Sequence, residues 1–465
     1  MDMVGKLLLV TAIVTIGCGC AAERNSITHL KGFDGPLPFS LETGYVEVEE
    51  THGVELFYYF IESERNPSED PVILWISGGP GCSGLNALFF EMGPLKLDVA
   101  AAVEGGFPSL LYFEDSWTKV SNVIFLDAPA GSGFSYAREA EGLNVTLTGL
   151  GMQLRVFLHK WMAQHLELAS NPLYIAGDSY SGYTVTVTAL ELANHGDQLL
   201  NLKGYMVGNA RGEVNYDNSG KLPFMHGMGL ISDELYQAAL SSCARRNDKQ
   251  GARCSEAWQA INEATSDVNT FHILEPRCGV DLTPRAPDLS LHTPTRFLLQ
   301  QEEEELGDIV LPVELCRING YRLSNIWAND AEVREMLGVW KGSIGRWSLC
   351  PTHRLPHFHN DVRSTIPFHR NLTQRGYRAL VYNGDHDLVV PFLGTQAWIR
   401  SLGYPVVAPW RPWYDCSNEV AGFTTEYAYN LTFATIKGAG HMAPESRPKE
   451  CLHMLRKWMS PAGRL

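Results

Sequence analysis

A repeated alternation of short apolar runs with helical segments is the feature that most limits how this chain can fold. The runs are rich in β-branched and aromatic residues, are bounded by turn residues, and cover 72–76, 123–126, 173–176, 205–207, 379–382 and 433–436. Continuous apolar runs are typical of parallel strands buried on both faces. Between them, segments such as 151–168 repeat apolar residues at spacings of three and four, which indicates helices. We therefore predict an α/β fold, with a mostly parallel central sheet flanked by helices.

One long segment, residues 213–360, interrupts this alternation. It contains five of the eight cysteines that follow the N-terminal leader, and its stretch 286–308 includes four consecutive glutamates with little apolar periodicity. We interpret 213–360 as an insertion between two parts of one core, 23–212 and 361–465. The stretch 286–308 is either a surface loop or a protease-sensitive linker that is excised.

The first 22 residues have the pattern of a secretory signal peptide. Lys6 precedes an apolar run over 7–20, and the small residues Ala21 and Ala22 come before a polar stretch. The run of about 14 residues is shorter than the roughly 20 that a membrane-spanning helix needs. We expect cleavage near Ala22, no membrane span, and a destination in the vacuole, with the extracellular space as the alternative.

The secretory route determines how the sequons and cysteines are interpreted. Asn144, Asn371 and Asn430 each begin an N-x-Thr sequon and are predicted glycosylation sites. In an oxidising compartment the cysteines are expected to form disulfides rather than a zinc site, so we predict no metal and no cofactor. Nucleic acid is excluded as a partner, because 37 Lys and Arg against 52 Asp and Glu give a net charge of −15.

The turn after the run at 173–176 carries a candidate nucleophile. Its sequence, GDSYSG over 177–182, places Ser179 between a strand and a helix-compatible segment, as in a nucleophile elbow. The fifth position of the G-x-S-x-G motif is Ser181 rather than glycine. On this motif alone, Ser179 is either a nucleophile or an ordinary turn serine.

Two later runs end in residues that complete a catalytic triad. Asp385 and Asp387 follow the run at 379–382, and His441 follows the run at 433–436. Singly, such residues are usually turn or surface residues. The order Ser, Asp, His is that of α/β-hydrolases, and the carboxyl ends of parallel strands meet at one edge of the sheet. Together the three turns predict an active site at that edge.

A glycine-rich loop, WISGGPGCSG over 75–84, follows the first run. Its glycines allow backbone N–H groups to approach a ligand closely, as an oxyanion hole requires. A phosphate-binding loop is a poorer interpretation, since no Gly-Lys-Ser/Thr follows.

Six blocks in this order resemble the serine carboxypeptidase family. They are WISGGPGCSG (75–84), LFFEMGP (88–94), NVIFLDAPAGSGFSY (122–136), GDSYSG (177–182), GDHD (384–387) and GAGHMAP (438–444). The resemblance runs from about residue 30 to the C-terminus. It implies an α/β-hydrolase fold with an inserted helical cap, a catalytic triad of Ser179, Asp387 and His441, and an oxyanion hole formed by the N–H groups of Gly79 and Tyr180.

The chain departs from the peptidase pattern of this family at two positions. Peptidases have Asn where Ser77 stands and Glu where Asp178 stands, and both help the residue matching Glu91 to bind the C-terminal carboxylate of the substrate. A carboxyl shortened by about 1.5 Å, one carbon–carbon bond, holds that group less well. The full substrate-binding set that the resemblance implies is Trp75, Ser77, Gly78, Glu91, Asp178 and Met442.

The GDSYSG elbow resembles the plant acyltransferase branch of the family. Its members transfer an acyl group from a 1-O-β-glucose ester, through an acyl-enzyme, to a hydroxyl or amine of a specialised metabolite. We therefore expect an acyl-glucose donor and an alcohol acceptor as ligands, with the acceptor pocket in the cap. The alternatives are a serine carboxypeptidase that acts at acidic pH and a non-catalytic binding protein, although the latter predicts a broken triad position.

The resemblance also implies the disulfide pairs Cys82–Cys350, Cys243–Cys254 and Cys278–Cys316. Because the last pair spans 286–308, excision of that linker would leave two chains joined by a disulfide. The chain is therefore expected as a monomer or as this two-chain form, and Cys416 and Cys451 are either paired with each other or free.

Overall fold

The structure is a computed structural model that describes residues 24–100, 106–243, 248–277, 317–351, 355, 357–460 and 463–465. The signal peptide, the linker at 286–308 and the Cys278–Cys316 pair were predicted for parts of the chain outside these residues. Within them, none of the helices has both the length and the apolar character needed to cross a bilayer.

The described strands and helices alternate along the chain as the sequence predicts. The strands are β1 (Asn25–Ile27), β2 (Leu41–Glu49), β3 (Val54–Ile61), β4 (Val72–Ile76), β5 (Leu95–Leu97), β6 (Leu110–Tyr112), β7 (Asn122–Leu126), β8 (Tyr136–Ala137), β9 (Val145–Thr146), β10 (Leu173–Asp178), β11 (Leu202–Gly208), β12 (Phe358–His359), β13 (Arg378–Gly384), β14 (Val406–Tyr414), β15 (Val420–Tyr427) and β16 (Leu431–Ile436). The α-helices are Gly84–Asn86, Leu147–Gln164, Ser181–His195, Val214–Ser219, Lys221–Gly227, Asp233–Cys243, Asp248–Ala264, Arg317–Asn329, Ala331–Met336, Ile366–Gln374, Phe392–Ser401, Ala443–Ser446 and Pro448–Met459. A π-helix covers Ala87–Glu91, and short 3-10 helices cover Trp117–Lys119, Ala140–Leu143 and Leu166–Leu168.

A twelve-stranded sheet forms the centre of the molecule, in the order β1-β2-β3-β7-β4-β10-β11-β13-β16-β15-β14, with β8 paired to β3. The six strands from β7 to β16 in this order are parallel, and the strands on either side are antiparallel. These six are the strands predicted from the apolar runs, so the predicted α/β fold with a mostly parallel sheet is confirmed.

The parallel strands are apolar throughout because both faces of the sheet are covered. In β4, Ile73 and Trp75 point into one core cluster, whereas Val72, Leu74 and Ile76 point into the other. The second cluster is completed by the helices Leu147–Gln164 and Ser181–His195. The first of these helices begins four residues before the predicted segment, because the Thr146 hydroxyl caps it by accepting the Gly149 N–H at 3.0 Å.

The inserted segment is helical where the structure describes it. Its first part has a small core of Phe224, Met225, Ile231, Ala239, Ala257 and Ile261, which also includes Leu388 of the main body. Leu388 is the neighbour of Asp387, so the insertion packs directly against a loop that carries a predicted catalytic residue. The other end of the insertion joins the body through β12, which pairs with β9.

Two of the implied disulfides are confirmed. Cys243–Cys254 links two helices of the insertion, and Cys82–Cys350 links the glycine-rich loop to the end of the insertion. Cys416 and Cys451 are both free thiols, the first exposed and the second buried.

Replacing both residues of Cys82–Cys350 by serine is expected to lower the free energy of unfolding by about 2–5 kcal/mol, since the bridge spans a sequence separation of 268 residues. The same double substitution at Cys243–Cys254, with a separation of 11 residues, is expected to cost less. Urea denaturation under non-reducing conditions measures both losses. A loss at Cys243–Cys254 that equals or exceeds the other would contradict this ranking.

Candidate active site

Ser179 lies in a tight turn directly after β10 and has a left-handed backbone, with φ of 52°. The helix Ser181–His195 begins two residues later. The turn needs glycine on both sides, because a Cβ on Gly177 would lie 2.4 Å from the carbonyl oxygen of Ile76 and one on Gly182 would lie 2.4 Å from that of Arg211. This strand, turn and helix form the nucleophile elbow that the sequence predicts.

Ser181, which departs from the glycine of the motif, has a structural role in this turn. It is buried, and its hydroxyl donates a 2.9 Å hydrogen bond to the carbonyl of Ser77. The bond ties the elbow to the glycine-rich loop, so a small polar residue suits this position as well as glycine does.

The structure brings Ser179, His441 and Asp387 into one hydrogen-bonded line. The Ser179 Oγ lies 2.8 Å from Nε2 of His441, and Nδ1 of His441 lies 2.8 Å from Oδ2 of Asp387. The imidazole and the carboxyl are buried, whereas Ser179 is partly exposed. This geometry suits a serine whose proton is taken by an imidazole that a carboxylate orients.

Asp387 accepts three further hydrogen bonds. They come from the Asn209 side chain at 2.9 Å and from the N–H groups of Val389 at 2.7 Å and Val390 at 3.1 Å. Asn209, which the sequence analysis missed, follows β11 at the same edge of the sheet, and that position is the signal that could have found it. Asp385, by contrast, accepts a hydrogen bond from the Gly438 N–H and lies beside His386, so it stabilises the loops.

The glycine-rich loop lies against the nucleophile. A Cβ on Gly78 would be 2.6 Å from the Cβ of Ser179, and Gly79 has φ of 114°. Only glycine allows both the close approach and this backbone conformation. Within the described residues, the N–H groups of Gly79 and Tyr180 donate to no protein acceptor. Both predicted oxyanion donors are therefore available for a ligand.

Two buried carboxyls, Asp178 and Glu91, occupy a corner beside this loop. Oδ1 of Asp178 accepts the Gly78 N–H at 3.0 Å, and Oε1 of Glu91 accepts the Asn86 side chain at 2.9 Å. Asn86, another residue that sequence reasoning missed, also lies 3.9 Å from the Met442 sulfur. The predicted substrate-binding residues Asp178, Glu91, Gly78 and Met442 thus lie around one corner.

Burial governs the charge of this corner. It raises the pKa of Asp178 to about 6, and it raises the pKa of Glu91 well above its usual value, with the nearby Asp178 adding to the effect on Glu91. Oε2 of Glu91 has no hydrogen-bond partner among the described residues. Protonated carboxyls at this corner can donate hydrogen bonds, which ionised carboxylates cannot.

The two remaining predicted substrate-binding residues are buried. Ser77 is 2% exposed, and its hydroxyl has no hydrogen-bond partner in the described part of the chain. Trp75 lies wholly within the core and packs edge-to-face on Trp117, with ring centroids 5.6 Å apart. The structure therefore places Trp75 in the packing behind the loop, and its role in substrate binding stays a prediction.

The sheet order and the three strand-end turns define the α/β-hydrolase fold. A family model described as serine carboxypeptidase matches residues 32–461. Serine carboxypeptidase-like 2 of Arabidopsis thaliana is 42% identical to the chain, and the matched region covers 98% of this chain and 97% of that protein. Serine carboxypeptidase-like 19 of the same plant is 44% identical, with 93% of each covered.

A solved structure is also similar to the chain. The prohormone-processing carboxypeptidase Kex1 of Saccharomyces cerevisiae superposes with a TM-score of 0.73, covering 95% of this chain and 98% of that one, at 18% identity. At this identity the likeness shows the fold alone. The family match and the Arabidopsis relatives confirm the resemblance, and the chain belongs to the serine carboxypeptidase family.

Replacing Asp178 by Asn is expected to stabilise the protein increasingly as the pH rises. A carboxyl whose folded-state pKa is raised contributes stability below its unfolded pKa, near 4, and that contribution is lost as the pH rises through about 6. The asparagine variant should gain on the order of 2 kcal/mol relative to wild type between pH 4 and pH 7. Free energies of unfolding measured across this range give the difference, and a difference that does not change with pH would refute the account.

Proposed function

We propose that the chain is an acyltransferase that moves an aromatic acyl group from a 1-O-β-glucose ester to a hydroxyl or amine of a specialised metabolite. The observation that carries this proposal is the position of the Asp178 carboxyl, which is bonded to the backbone of Gly78 rather than free to extend. With Ser77 offering a hydroxyl in place of an amide, the corner has few donors for the C-terminal carboxylate of a peptide. A buried carboxyl donates a hydrogen bond when it is protonated and accepts one when it is ionised. Either state suits the neutral hydroxyls of a sugar, which both donate and accept.

In this mechanism, His441 takes the proton of Ser179 as its Oγ attacks the ester carbonyl. The oxyanion is stabilised by the N–H groups of Gly79 and Tyr180. The proton then passes from His441 to the departing glucose, which leaves Ser179 acylated. The acceptor hydroxyl next loses its proton to His441 and attacks the acyl group, and Ser179 is regenerated.

Aromatic side chains beside the nucleophile support an aromatic acyl group. The ring of Tyr180 lies 5.5 Å from that of Tyr183 and 6.0 Å from that of Phe358, measured between centroids. Such rings can pack against a planar acyl group. They give the acyl group an apolar surface one residue from Ser179.

A cavity beside Tyr183 supports a second ligand. Its volume is about 360 Å³, which is within the range of small-molecule sites. It is lined by Tyr183, Glu213, Val214, Asn215, Asn360, Val362 and Arg363. Transfer to an acceptor must compete with water, which is in large excess, so an oriented acceptor is necessary. The mixed polar lining suits a ligand that carries several hydroxyls.

A serine carboxypeptidase is the second candidate, and the raised pKa values of Asp178 and Glu91 favour it at acidic pH. A protonated carboxyl in this corner can donate a hydrogen bond to the C-terminal carboxylate of a peptide. This activity would decline as the pH rises through about 6, because the donor proton on Asp178 is then lost.

We also propose that the protein is a glycosylated enzyme of the vacuole or the extracellular space. It would enter the secretory pathway through its signal peptide, which is cleaved near Ala22. The sequon asparagines Asn144, Asn371 and Asn430 all lie in exposed positions, which is compatible with glycan attachment.

The test is to incubate the purified glycoprotein with a panel of aromatic acyl-glucose esters and candidate alcohols, and separately with a blocked dipeptide. The proposal predicts new acylated products, and a Ser179→Ala variant should lose them, by at least about 10³-fold, because no acyl-enzyme can form. Mass spectrometry of the products measures the transfer. Release of a C-terminal amino acid from the dipeptide without any transfer product would identify a carboxypeptidase instead.

A further inference from the structure

A segment of the insertion, residues 270–275, binds both loops that carry the proposed catalytic residues; we name it the strap. Three backbone hydrogen bonds join it to these loops: from the Leu388 N–H to the Thr270 carbonyl (3.0 Å), from the Ile273 N–H to the His386 carbonyl (3.1 Å), and from the His441 N–H to the Phe271 carbonyl (2.7 Å). Two of these bonds flank Asp387, and the third is made by His441 itself. The strap therefore fixes the positions of two triad residues relative to each other.

The strap also contacts the catalytic imidazole. The ring of Phe271 packs edge-to-face on that of His441, with centroids 5.3 Å apart. The loop before His441 must be free of a side chain at Gly440, where a Cβ would lie 2.4 Å from the Phe271 carbonyl oxygen. The strap thus restrains the backbone of His441 and one side of its ring.

A bridge of charges holds the end of the strap. Glu275, its last residue, binds Arg317 through two hydrogen bonds, from Nε at 2.7 Å and from Nη2 at 2.5 Å. Nη1 of the same guanidinium lies 3.0 Å from Glu445. Glu445 belongs to the short helix Ala443–Ser446, which begins two residues after His441, and it also accepts a hydrogen bond from Tyr321.

Arg317 is the shared member of this bridge, and its removal leaves no cation that binds both carboxylates. Glu275 then keeps His272 at 3.8 Å, Glu445 keeps the Tyr321 hydroxyl and the electrostatic attraction of Lys96, and the two carboxylates repel each other. The Arg317 side chain is 30% exposed and that of Glu445 is 10% exposed, so solvent screens the interaction only in part. The strap and the helix after His441 are the two elements that would separate.

We propose that Arg317 is a positioning residue for His441, because it ties the strap to the helix that follows the histidine. The inference rests on the proposed catalytic role of Ser179 and His441. Arg317 touches neither residue, and it acts through Glu275 and Glu445. The consequence is a link between the insertion and the reactivity of the serine.

The experiment measures how fast a fluorophosphonate probe labels Ser179 in the full-length glycoprotein. In this reaction Ser179 Oγ bonds to phosphorus, fluoride leaves, and His441 takes the hydroxyl proton, so the rate reports on the Ser–His geometry without a substrate. Arg317→Met should be labelled about tenfold more slowly, since a displacement of about 1 Å can cost as much as 10²-fold. Arg317→Lys, which keeps the charge but not the bidentate contact, should be intermediate.

Arg411→Met is the matched control. The Arg411 side chain is 31% exposed and pairs with Glu426 on the edge hairpin formed by β14 and β15. The two side chains are 2.5 Å apart, the same distance as between Arg317 and Glu275. Arg411→Met should lower the melting temperature to a similar extent as Arg317→Met while its labelling rate stays within about twofold of wild type. If Arg317→Met does not fold, Glu445→Gln replaces it, and a labelling rate about threefold below wild type is expected.

If Arg317→Met, or Glu445→Gln in its place, is labelled at a rate within about twofold of wild type, the inference about Arg317 is overturned, but the proposed function is not. An equal loss of labelling in Arg411→Met would also overturn the inference, because the effect would then follow stability rather than position. Wild-type labelling no faster than that of Ser179→Ala would refute the proposed catalytic role of Ser179, and the inference with it.

Discussion

The left-handed turn at Ser179 is the constraint on which the arrangement of the site depends. A non-glycine residue with φ of 52° is strained by the order of 1 kcal/mol, and the turn persists because β10 and the helix Ser181–His195 are both buried against the core. The turn directs Oγ toward His441 and leaves the Tyr180 N–H free. Gly177 and Gly182 let the backbone of Ile76 and of Arg211 approach the turn, and Gly78 lets the glycine-rich loop lie against Ser179.

The carboxyls near this turn fall into two chemical kinds. Asp387 accepts four hydrogen bonds, counting that of His441, and this number suits a carboxylate anion. Asp178 accepts one from the Gly78 N–H and Glu91 accepts one from the Asn86 side chain, and burial raises the pKa of both carboxyls. One carboxylate can therefore orient an imidazole while the other two bind a ligand as acids or as acceptors. The two proposed activities use these two carboxyls for different ligands, a sugar in one and a peptide carboxylate in the other.

Much of the fold follows from local sequence, because the parallel strands are buried on both faces and so are continuously apolar. The turns after three of these strands contain Ser179, Asp387 and His441. Because the carboxyl ends of parallel strands meet at one edge of the sheet, the sequence predicts that the three residues lie together. The same rule could have placed Asn209 at this edge, whereas its contact with Asp387 and the contacts of Asn86 and Arg317 could not be predicted in this way. Asn209 and Asp387 are 178 residues apart, and their contact depends on the order of strands in the sheet. The strap could not be predicted from the sequence either, because it binds the loops through backbone groups that any residue has.

The central claim is that Ser179 carries an acyl group during turnover, and trapping that intermediate tests it most directly. The protein is mixed with an aromatic acyl-glucose ester, quenched in acid within milliseconds, digested and analysed by mass spectrometry. The account predicts a peptide containing Ser179 that is heavier by the mass of the acyl group, with no such peptide from His441→Ala. An acyl group on a different residue, or transfer of the acyl group to an acceptor by the Ser179→Ala protein, would contradict it.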